Sequence, residues 1–383
     1  MTRQEVMQKA LEGKISWLQA ADICRITVRH MSRLRWQYLQ LGIEGLRDGR
    51  TGKAQPRRIP EEVEQELCRL KRDVYPDFSV RHFHEFVTER HGIEISETWT
   101  RLLLQKHGLV IKAARRGKHR RKRERRAMRG MLLHLDASTH SWIAGLPMRD
   151  LVVMLDDADG RILYARFVEQ EGTVSTLEAL MHVLVRFGRF CEFYTDRGSH
   201  FCRTSKAGQA PDEQQQGQVS RVLKALGIRH ILARSPEARG RSERAFETIQ
   251  GRLPQELRVA GITDYEAANR YLDEHFVADF NRRFGVEPAQ PESAFTPLAG
   301  VDLELLLSVQ HERTVQKDNT VLLDGVHLQL PKSRQRVHFV RCPVVVHEFL
   351  DGRLGVSYQN RLLARFSRDG QLVEQPARRR KAA

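Results

Sequence analysis

The segment MLLHLDASTHSWIAGLPMRDLVVMLDDADGRILYARFVE, residues 131–169, contains three short apolar runs separated by turn signals such as Asp159-Gly160. Short runs of this kind are typical of strands, and the last two are expected to pair as a hairpin. Two helical stretches then alternate with the runs CEFYTD and RHILA, and two more helices follow. The order β-β-β-α-β-α-β-α-α predicts a mixed sheet flanked by helices.

The charge of the chain is strongly positive. Its 383 residues include 64 Lys or Arg against 48 Asp or Glu, a formal net charge of +16. The stretch KAARRGKHRRKRERRAMR, residues 112–129, carries eleven Lys or Arg and one Glu, a net charge of +10. Such a run repels itself unless an anion is present, so we expect a basic linker at 112–130 that follows a nucleic-acid backbone. The alternative is a solvated tether without specific contacts. The expected phosphate contacts are Arg115, Arg116, Lys118, Arg120, Arg121, Lys122 and Arg123.

Helical patterns occupy the chain before this linker. We expect a helix-turn-helix DNA-binding domain at 1–50 and a second helical, winged-helix-like DNA-binding domain at 57–111, joined by a Gly-, Arg- and Pro-rich break. An ordinary helical hairpin is the alternative for the first domain, and a spacer without groove contacts is the alternative for the second. The expected DNA-contacting residues are Thr27, Arg29, His30, Arg33, Thr98 and Arg101.

The rest of the chain divides into a catalytic core at 131–290 and a small all-β, barrel-like domain at 308–370, followed by a basic tail at 371–383. A Gln-rich insert at 203–218 is expected to form a loop near the active site. No apolar run approaches the ~18 residues of a membrane-spanning helix, and the five scattered cysteines show no zinc-ligand spacing. We therefore expect a cytoplasmic protein with no membrane partner.

Three carboxylates stand out because of their places in the predicted sheet. Asp136 is expected to end the first strand, Asp196 ends the fourth, and Glu243 lies in the first turns of the helix after the fifth. The element order resembles the ribonuclease H-like order, in which the first and fourth strands are neighbours and that helix crosses their ends. The three side chains are therefore expected to converge. Among other acids of the core, Asp157 is a weaker candidate than Asp136 or Asp196, and Glu237 and Glu247 are the alternatives to Glu243.

Oxygen ligands in a partly open site suit Mg²⁺ or Mn²⁺. Two such ions per active site would activate a hydroxyl on one side of a phosphorus and stabilise the departing oxygen on the other. The pattern therefore predicts metal-dependent phosphodiester chemistry without a covalent protein–DNA intermediate.

The blocks LHLDAS, YTDRGSHF and ARSPEARGRSERAFETIQGRL resemble the integrase-core blocks of bacterial insertion-sequence transposases, relatives of Mu transposase and retroviral integrases. The likeness is nearest to the group named not-classified-yet (ISNCY) and extends over nearly the whole chain. It implies that Asp136, Asp196 and Glu243 are the DDE triad. Gly198 and Phe201 match the T-D-x-G-x-x-F block. The separation of Asp196 and Glu243 is longer than in many relatives, and the Gln-rich insert accounts for it.

The resemblance implies a DDE transposase that binds transposon end repeats, nicks them to expose 3′-hydroxyls and joins these to target DNA. Its partners would be double-stranded DNA and further copies of the chain, as a homodimer or higher oligomer. Arg239, Arg241 and Arg244 would bring positive charge to the DNA beside the triad. Two alternatives stay open: a non-enzymatic DNA-binding regulator derived from a transposase, and a nuclease that cuts without joining.

Overall fold

The computed structural model describes residues 2–47, 59–112, 124–198, 200–201, 217–233, 240–332 and 336–374. The chain forms two compact units, Met1–Leu70 and Lys71–Ala383. The division falls inside the second helical domain expected at 57–111.

The first unit is helical, and its first three helices begin at residues whose side chains cap them. Its helices are α1 (Arg3–Leu11), α2 (Trp17–Ile23), α3 (Val28–Leu41), a 3-10 turn (Gly42–Leu46) and α4 (Glu61–Arg69). Thr2 and Ser16 each form a capping box, and the Thr27 hydroxyl accepts from the backbone of His30. These bonds satisfy amides that the first turn of a helix leaves open. Val6, Met7, Ala20, Met31 and Leu34 form the buried core.

The second unit opens with two helices, α5 (Val80–His91) and α6 (Glu97–Lys106). The five-stranded central sheet follows in the order β3-β2-β1-β4-β5. Its strands are β1 (Leu132–His140), β2 (Arg149–Asp156), β3 (Ile162–Val168), β4 (Glu192–Thr195) and β5 (Arg229–Leu232). β1, β2 and β3 pair antiparallel, whereas β1, β4 and β5 pair parallel. The expected mixed helix-and-sheet architecture is confirmed.

Helices cover both faces of this sheet. One face packs against α7 (Thr173–Phe187) and α8 (Gln218–Leu226), where Leu133, Leu135 and Phe193 are buried. The other face, with Val153 and Leu155 of β2, packs against a set of short helices. These are α9 (Gly240–Gln250), α10 (Leu253–Val259), α11 (Tyr265–Tyr271) and α12 (Val277–Phe284), with a π-helical turn (Leu272–Phe276) between the last two.

The first of the two helices predicted after the run RHILA is divided into two helices in the structure. The chain breaks at Gly251, and Pro254 begins the next helix at its second position. Proline is tolerated in a first helical turn but removes a backbone donor from a helix interior, so the break fits the sequence. The two pieces, α9 and α10, are free to take separate directions over the sheet.

The carboxyl-terminal region is β-structured after a short helix, α13 (Leu303–Leu306). Its strands are β6 (Val309–Thr314), β7 (Thr320–Leu323), β8 (Val326–Gln329), β9 (Pro343–Glu348), β10 (Leu354–Tyr358), β11 (Arg361–Phe366) and β12 (Leu372–Glu374). Val321, Leu328, Val346, Val356 and Phe366 share one buried core. Among the described strands the sheet has the order β12-β11-β10-β9-β6, and β7 pairs with β8 alone. The ladders do not close, so this part is an open sheet packed on a hairpin, unlike the expected barrel.

Within the described residues, no helix is long and apolar enough to cross a membrane.

Candidate active site

Asp136 lies on β1, and Asp196 follows directly after the neighbouring strand β4. β1 and β4 pair in parallel, with Leu132 opposite Glu192 and His134 opposite Tyr194. Continuing that register by two residues places Asp136 opposite Asp196, and adjacent strands lie about 4.8 Å apart. Both aspartates are half-buried.

The two aspartates also share one face of the sheet. Residues two apart in a strand point to the same side. Leu132 and Tyr194, which precede Asp136 and Asp196 by even numbers of residues, pack together in one small cluster with Ala233. The alternate positions Leu133 and Phe193 belong to the opposite core under α7 and α8. The two carboxylates therefore belong to the face that α9 covers.

Asp136 does not end its strand, contrary to the expectation. β1 runs on to His140 because β2 pairs with it along its whole length, with Asp136 opposite Val153. β4, on the other side, ends at Thr195. Asp136 consequently lies where β1 has lost one neighbouring strand, which leaves its edge open toward Asp196.

The turn after β4 is held by hydrogen bonds to Asp196 and Thr195. The backbone N–H of Gly198 donates to Asp196 Oδ1 at 2.8 Å, and the Thr195 hydroxyl donates to the Asp196 carbonyl at 2.9 Å. The Thr195 oxygen also lies 2.9 Å from Nε2 of His230 on β5. Because the hydroxyl proton is already donated, Nε2 of His230 is the donor in that contact. Burial lowers the pKa of His230 to about 4, so the ring is neutral at pH 7.

Gly198 is required by space beside Asp196. A Cβ at this position would lie 3.1 Å from Asp196 Oδ1 and 2.9 Å from the ring of His200. His200 packs on Phe201, and its Nε2 lies 3.6 Å from Glu171 at the start of α7. Gly198 and Phe201 match the T-D-x-G-x-x-F motif, whereas His200 is a site residue that the sequence did not predict. The sequence signal that could have identified His200 is its position between Asp196 and Phe201 in the same motif.

Glu243 lies in the first turns of α9 and is exposed. Ser242, Phe246 and Ile249 are the buried positions of this helix. Glu243, Glu247 and Gln250 follow one another at helical spacing and so share a different face. Gln250 Nε2 donates to Ser138 Oγ at 2.7 Å. This bond joins that face of α9 to β1, two residues beyond Asp136.

The amino-terminal end of α9 is held by Asp157. Arg241 forms an ion pair with the Asp157 carboxylate and donates to its carbonyl oxygen at 3.2 Å. His134 Nε2 lies 2.9 Å from the same carboxylate, which is buried. Burial by itself would raise the pKa of Asp157, but the bonds from His134 and Arg241 hold that pKa well below its usual range.

The neighbouring acids lie at the end of β2 and in the turn that follows it. Asp156 accepts from the backbone N–H groups of Gly130 and Ala158, at 2.7 and 2.9 Å. Asp159 accepts from the backbone of Arg161 and pairs with the Arg129 side chain. Asp156, Asp157 and Asp159 are all buried. These contacts give the three acids structural roles at the end of β2 and in the turn after it, and Asp136 and Asp196 remain the predicted metal ligands.

Carboxylate oxygens are the donors that Mg²⁺ and Mn²⁺ prefer, so the chemistry of Asp136 and Asp196 fits such an ion. Across the ranges that the structure describes, no three His, Cys, Asp or Glu side chains lie close enough together to hold a metal. The strand register supports a location of the two aspartates close to each other, and a metal site shared by Asp136, Asp196 and Glu243 stays a prediction. Glu237, one of its two alternatives, lies outside the described residues, and Glu247 is exposed on the same helix.

Two curated proteins resemble this chain over most of its length. The protein y4bF of Sinorhizobium fredii, named as a transposase, is 30% identical over 367 residues, which are 95% of this chain and 79% of that protein. The transposase for insertion sequence IS1202 of Streptococcus pneumoniae is 27% identical over 376 residues, which are 89% of this chain and 80% of the relative. The chain belongs to the family of bacterial insertion-sequence transposases. The resemblance found in the three core blocks is confirmed.

No family model matches this transposase. Among solved structures, the simian T-cell lymphotropic virus intasome in complex with PP2A regulatory subunit B56 gamma is 14% identical and covers 79% of this chain and 100% of that one. The magnesium complex of the HTLV-2 integrase catalytic core is 16% identical and covers 37% of this chain and 82% of that one. Their TM-scores of 0.34 and 0.29 are too low to support a conclusion about this transposase.

The predicted DNA-contacting residues of the transposase divide into three groups. Arg29, Arg33, Thr98 and Arg244 are exposed, and Arg101 is exposed and pairs with Glu97. Thr27 and His30 meet in a helix cap, and Arg241 is occupied by Asp157. Seven cations of the basic linker (Arg115, Arg116, Lys118, Arg120, Arg121, Lys122 and Arg123) and Arg239 lie outside the described residues. DNA contact by any of them stays a prediction.

Proposed function

We propose that this transposase cuts DNA at the ends of its insertion sequence and joins the freed 3′-hydroxyls to target DNA, with Asp136, Asp196 and Glu243 as its metal-binding triad. The observation that carries the proposal is the parallel register of β1 and β4, which pairs His134 with Tyr194, two residues before Asp136 and Asp196. A fold of the ribonuclease H type is supported by the strand order, in which β1 has the antiparallel pair β2 and β3 on one side and the parallel pair β4 and β5 on the other.

The third ligand in this proposal comes from α9. Gln250 anchors one face of α9 to Ser138, on the same side of β1 as Asp136. Glu243 lies on that face two turns earlier, about 10 Å along the helix axis. An exposed carboxylate at this place can turn toward the aspartates when DNA and metal bind. Glu247 lies between Glu243 and Gln250 on the same helix. A substitution of Glu247 is therefore the matched control for the same substitution of Glu243.

The three carboxylates would hold two divalent ions, Mg²⁺ or Mn²⁺. Ions bound there would supply positive charge that stabilises the phosphate oxygens, the entering oxygen and the leaving oxygen. The protein's own contribution is to fix the carboxylates: Gly198 and Thr195 hold Asp196 by backbone bonds, and the pairing with β2 holds Asp136. Fixed ligands keep the reacting groups in line without reorganisation during the reaction.

The proposed reaction has two balanced steps. In the first, a water oxygen bonds to phosphorus, the bond from phosphorus to the 3′-oxygen breaks, and that oxygen leaves as a 3′-hydroxyl. In the second, this 3′-hydroxyl oxygen bonds to a phosphorus of target DNA, and the displaced target oxygen leaves as a new 3′-hydroxyl. The number of phosphodiester bonds is unchanged in the second step, so no external energy source is needed.

The exposed cations are proposed to hold the DNA, with Arg29, Arg33 and Arg101 on the helices and Arg244 beside Glu243. Two transposon ends must be held together for paired insertion, so we propose a dimer or higher oligomer on DNA, acting in the bacterial cytoplasm.

The test is a cleavage and joining assay on labelled transposon-end DNA with a target plasmid in Mg²⁺. The wild type should give nicked ends and joined products, and Asp136→Asn, Asp196→Asn and Glu243→Gln should lower both by at least about a thousandfold, because each removes a ligand charge. Glu247→Gln should keep the wild-type rate. DNA binding without cutting would favour a regulator, and cutting without joined products would favour a nuclease. Full activity in Glu243→Gln with loss in Glu247→Gln would move the third ligand to Glu247.

A further inference from the structure

The buried turn between β2 and β3 contains an acid that bonds outside the turn. Asp156 and Asp159 each accept one bond within the turn, from Ala158 and Arg161, and each has one partner outside it, Gly130 and Arg129 respectively. Each side-chain bond described for Asp157 reaches another part of the fold. Its partners are the ring of His134 on β1, the guanidinium of Arg241 on α9 and the backbone N–H of Arg126. Asp157 therefore joins three separate segments of the chain.

The Arg241 contact places the start of the helix that carries Glu243. Arg241 lies two residues before Glu243, and its side chain is mostly buried where it meets Asp157. Gln250 holds the other end of α9 against β1. The helix is thus attached to the sheet at both ends, once through Asp157 and once through Ser138, and Glu243 lies between the two attachments.

The Arg126 contact brings the end of the basic linker to the same carboxylate. Asp157 Oδ2 accepts from the Arg126 backbone at 2.9 Å, and the Arg126 side chain pairs with Glu192 at the start of β4. Arg129 is fixed nearby by Asp159 at 3.0 Å. The last residues of the +10 stretch are therefore anchored on the sheet through the acid that anchors α9.

We propose that Asp157 is a positioning residue that sets the place of Glu243 and couples it to the basic linker. It touches neither substrate nor metal and acts through Arg241. This proposal rests on the proposed function, because it assumes that Glu243 is a catalytic ligand. A charged, buried carboxylate is suited to this task, since bonds between charged groups are shorter and stronger than neutral ones.

The decisive variant is Asp157→Asn, which keeps the size of the side chain and removes its charge. Asp159→Asn is the matched control, because Asp159 is equally buried in the same turn and its described side-chain bonds go to Arg129 and Arg161. Three quantities are measured in the full chain: the single-turnover cleavage rate, the Kd for end DNA, and amide hydrogen exchange over residues 240–250.

We expect Asp157→Asn to lower the rate by about a hundredfold, the size of effect that a misplacement of 1 Å can cause. Its Kd for end DNA should stay within about twofold, and exchange should rise in the first turns of α9 and stay unchanged in α7. Asp159→Asn should keep the wild-type rate and α9 exchange. Arg241→Gln should reproduce Asp157→Asn, and Arg241→Lys, which retains the charge, should recover part of the rate.

The proposal is overturned if Asp157→Asn keeps the wild-type rate and α9 exchange, or if Asp159→Asn is as slow as Asp157→Asn. If Asp157→Asn does not fold, the proposal is tested by the cleavage rates of Arg241→Gln and Arg241→Lys. Equal rates for these two variants would contradict the proposal. A wild type that never cuts DNA would refute the proposed function instead, while the exchange measurement would still show whether Asp157 places α9.

Discussion

Gln250 of α9 donates a hydrogen bond to Ser138 of β1, 2.7 Å away and 112 residues earlier in the chain. Ser138 is two residues from Asp136 on the same face of the strand. The bond therefore ties the helix that carries one candidate ligand to the strand that carries another.

Removing the Gln250–Ser138 hydrogen bond should lower the rate of catalysis more than it lowers the stability of the fold. Gln250→Ala is expected to lower the joining rate by about tenfold while lowering the free energy of unfolding by about 1 kcal/mol, the usual value of one hydrogen bond. The measurement is the single-turnover rate together with urea unfolding. Ser138→Ala should have a similar effect, and the double variant should be no worse than either single one, because both remove the same bond. Fully additive losses of rate in the double variant would show that Gln250 and Ser138 do not act through one shared hydrogen bond.

Gly198 should tolerate no side chain. In Gly198→Ala the new Cβ would contact Asp196 Oδ1 at 3.1 Å and the His200 ring at 2.9 Å, so the carboxylate must move. We expect about a hundredfold loss of cleavage rate in a protein that still folds. Gly172→Ala is the control, because a Cβ there meets nothing within 4 Å. Cleavage at the wild-type rate by Gly198→Ala would show that the Asp196 turn is not fixed as described.

Glu85 should stabilise the attachment of α5 to the rest of the second unit. Its carboxylate pairs with Arg252 at 2.5 Å and with Arg283 at 2.8 Å, and both arginines are more than nine-tenths buried. Glu85→Ala removes one of several carboxylate partners from each buried arginine and should cost about 1.5 to 3 kcal/mol in urea unfolding. Arg282→Ala removes exposed pairs with Glu89 and Asp279 and should cost less than about 1 kcal/mol. Similar costs for the two variants would contradict the assignment.

The carboxyl-terminal sheet should lose stability in mild acid through His347. Burial, and then the nearby charge of Arg221, lower the pKa of His347 to about 4. The unfolded chain takes up this proton near pH 6.5, and the folded chain takes it up only near pH 4. The contribution of His347 is therefore complete above pH 6.5 and is lost as the pH falls toward 4.

His347→Gln removes this titration and tests its sign. Urea unfolding at pH 7, 6 and 5 should show a free energy that falls more steeply with acid in the wild type than in the variant, by up to about 1.4 kcal/mol per pH unit. His347 bonds to Ser308 and Ser357, so the variant can be less stable at every pH, and the slope is the deciding quantity. Equal slopes of unfolding free energy against pH in the two proteins would contradict a buried, neutral His347 in the folded state.

Much of the central sheet could be predicted from the sequence because its signals are local. The apolar runs around Leu133, Val153 and Leu163 and the turn at Asp159-Gly160 gave the strands, and the motif at Asp196 gave the turn after β4. The break between α9 and α10 also has a local signal, because Gly251 and Pro254 lie where one helix ends and the next begins.

The contacts that position the candidate site could not be predicted, because they join residues far apart in the chain. Arg241 was expected to face DNA, and in the structure it pairs with Asp157, 84 residues earlier. Arg252 pairs with Glu85 across 167 residues, so a helix assigned to a separate domain belongs to the unit that holds the sheet. Spacing along the sequence gives no information on which cation meets which acid.

The most direct test of the central claim is a crystal structure of the transposase bound to transposon-end DNA and Mn²⁺, with the metal located by anomalous scattering. The account predicts manganese about 2.2 Å from carboxylate oxygens of Asp136, Asp196 and Glu243, with Arg241 still paired to Asp157. Manganese bound by Asp157 or Glu247 in place of one of the three, or a triad carboxylate far from every metal ion, would contradict it.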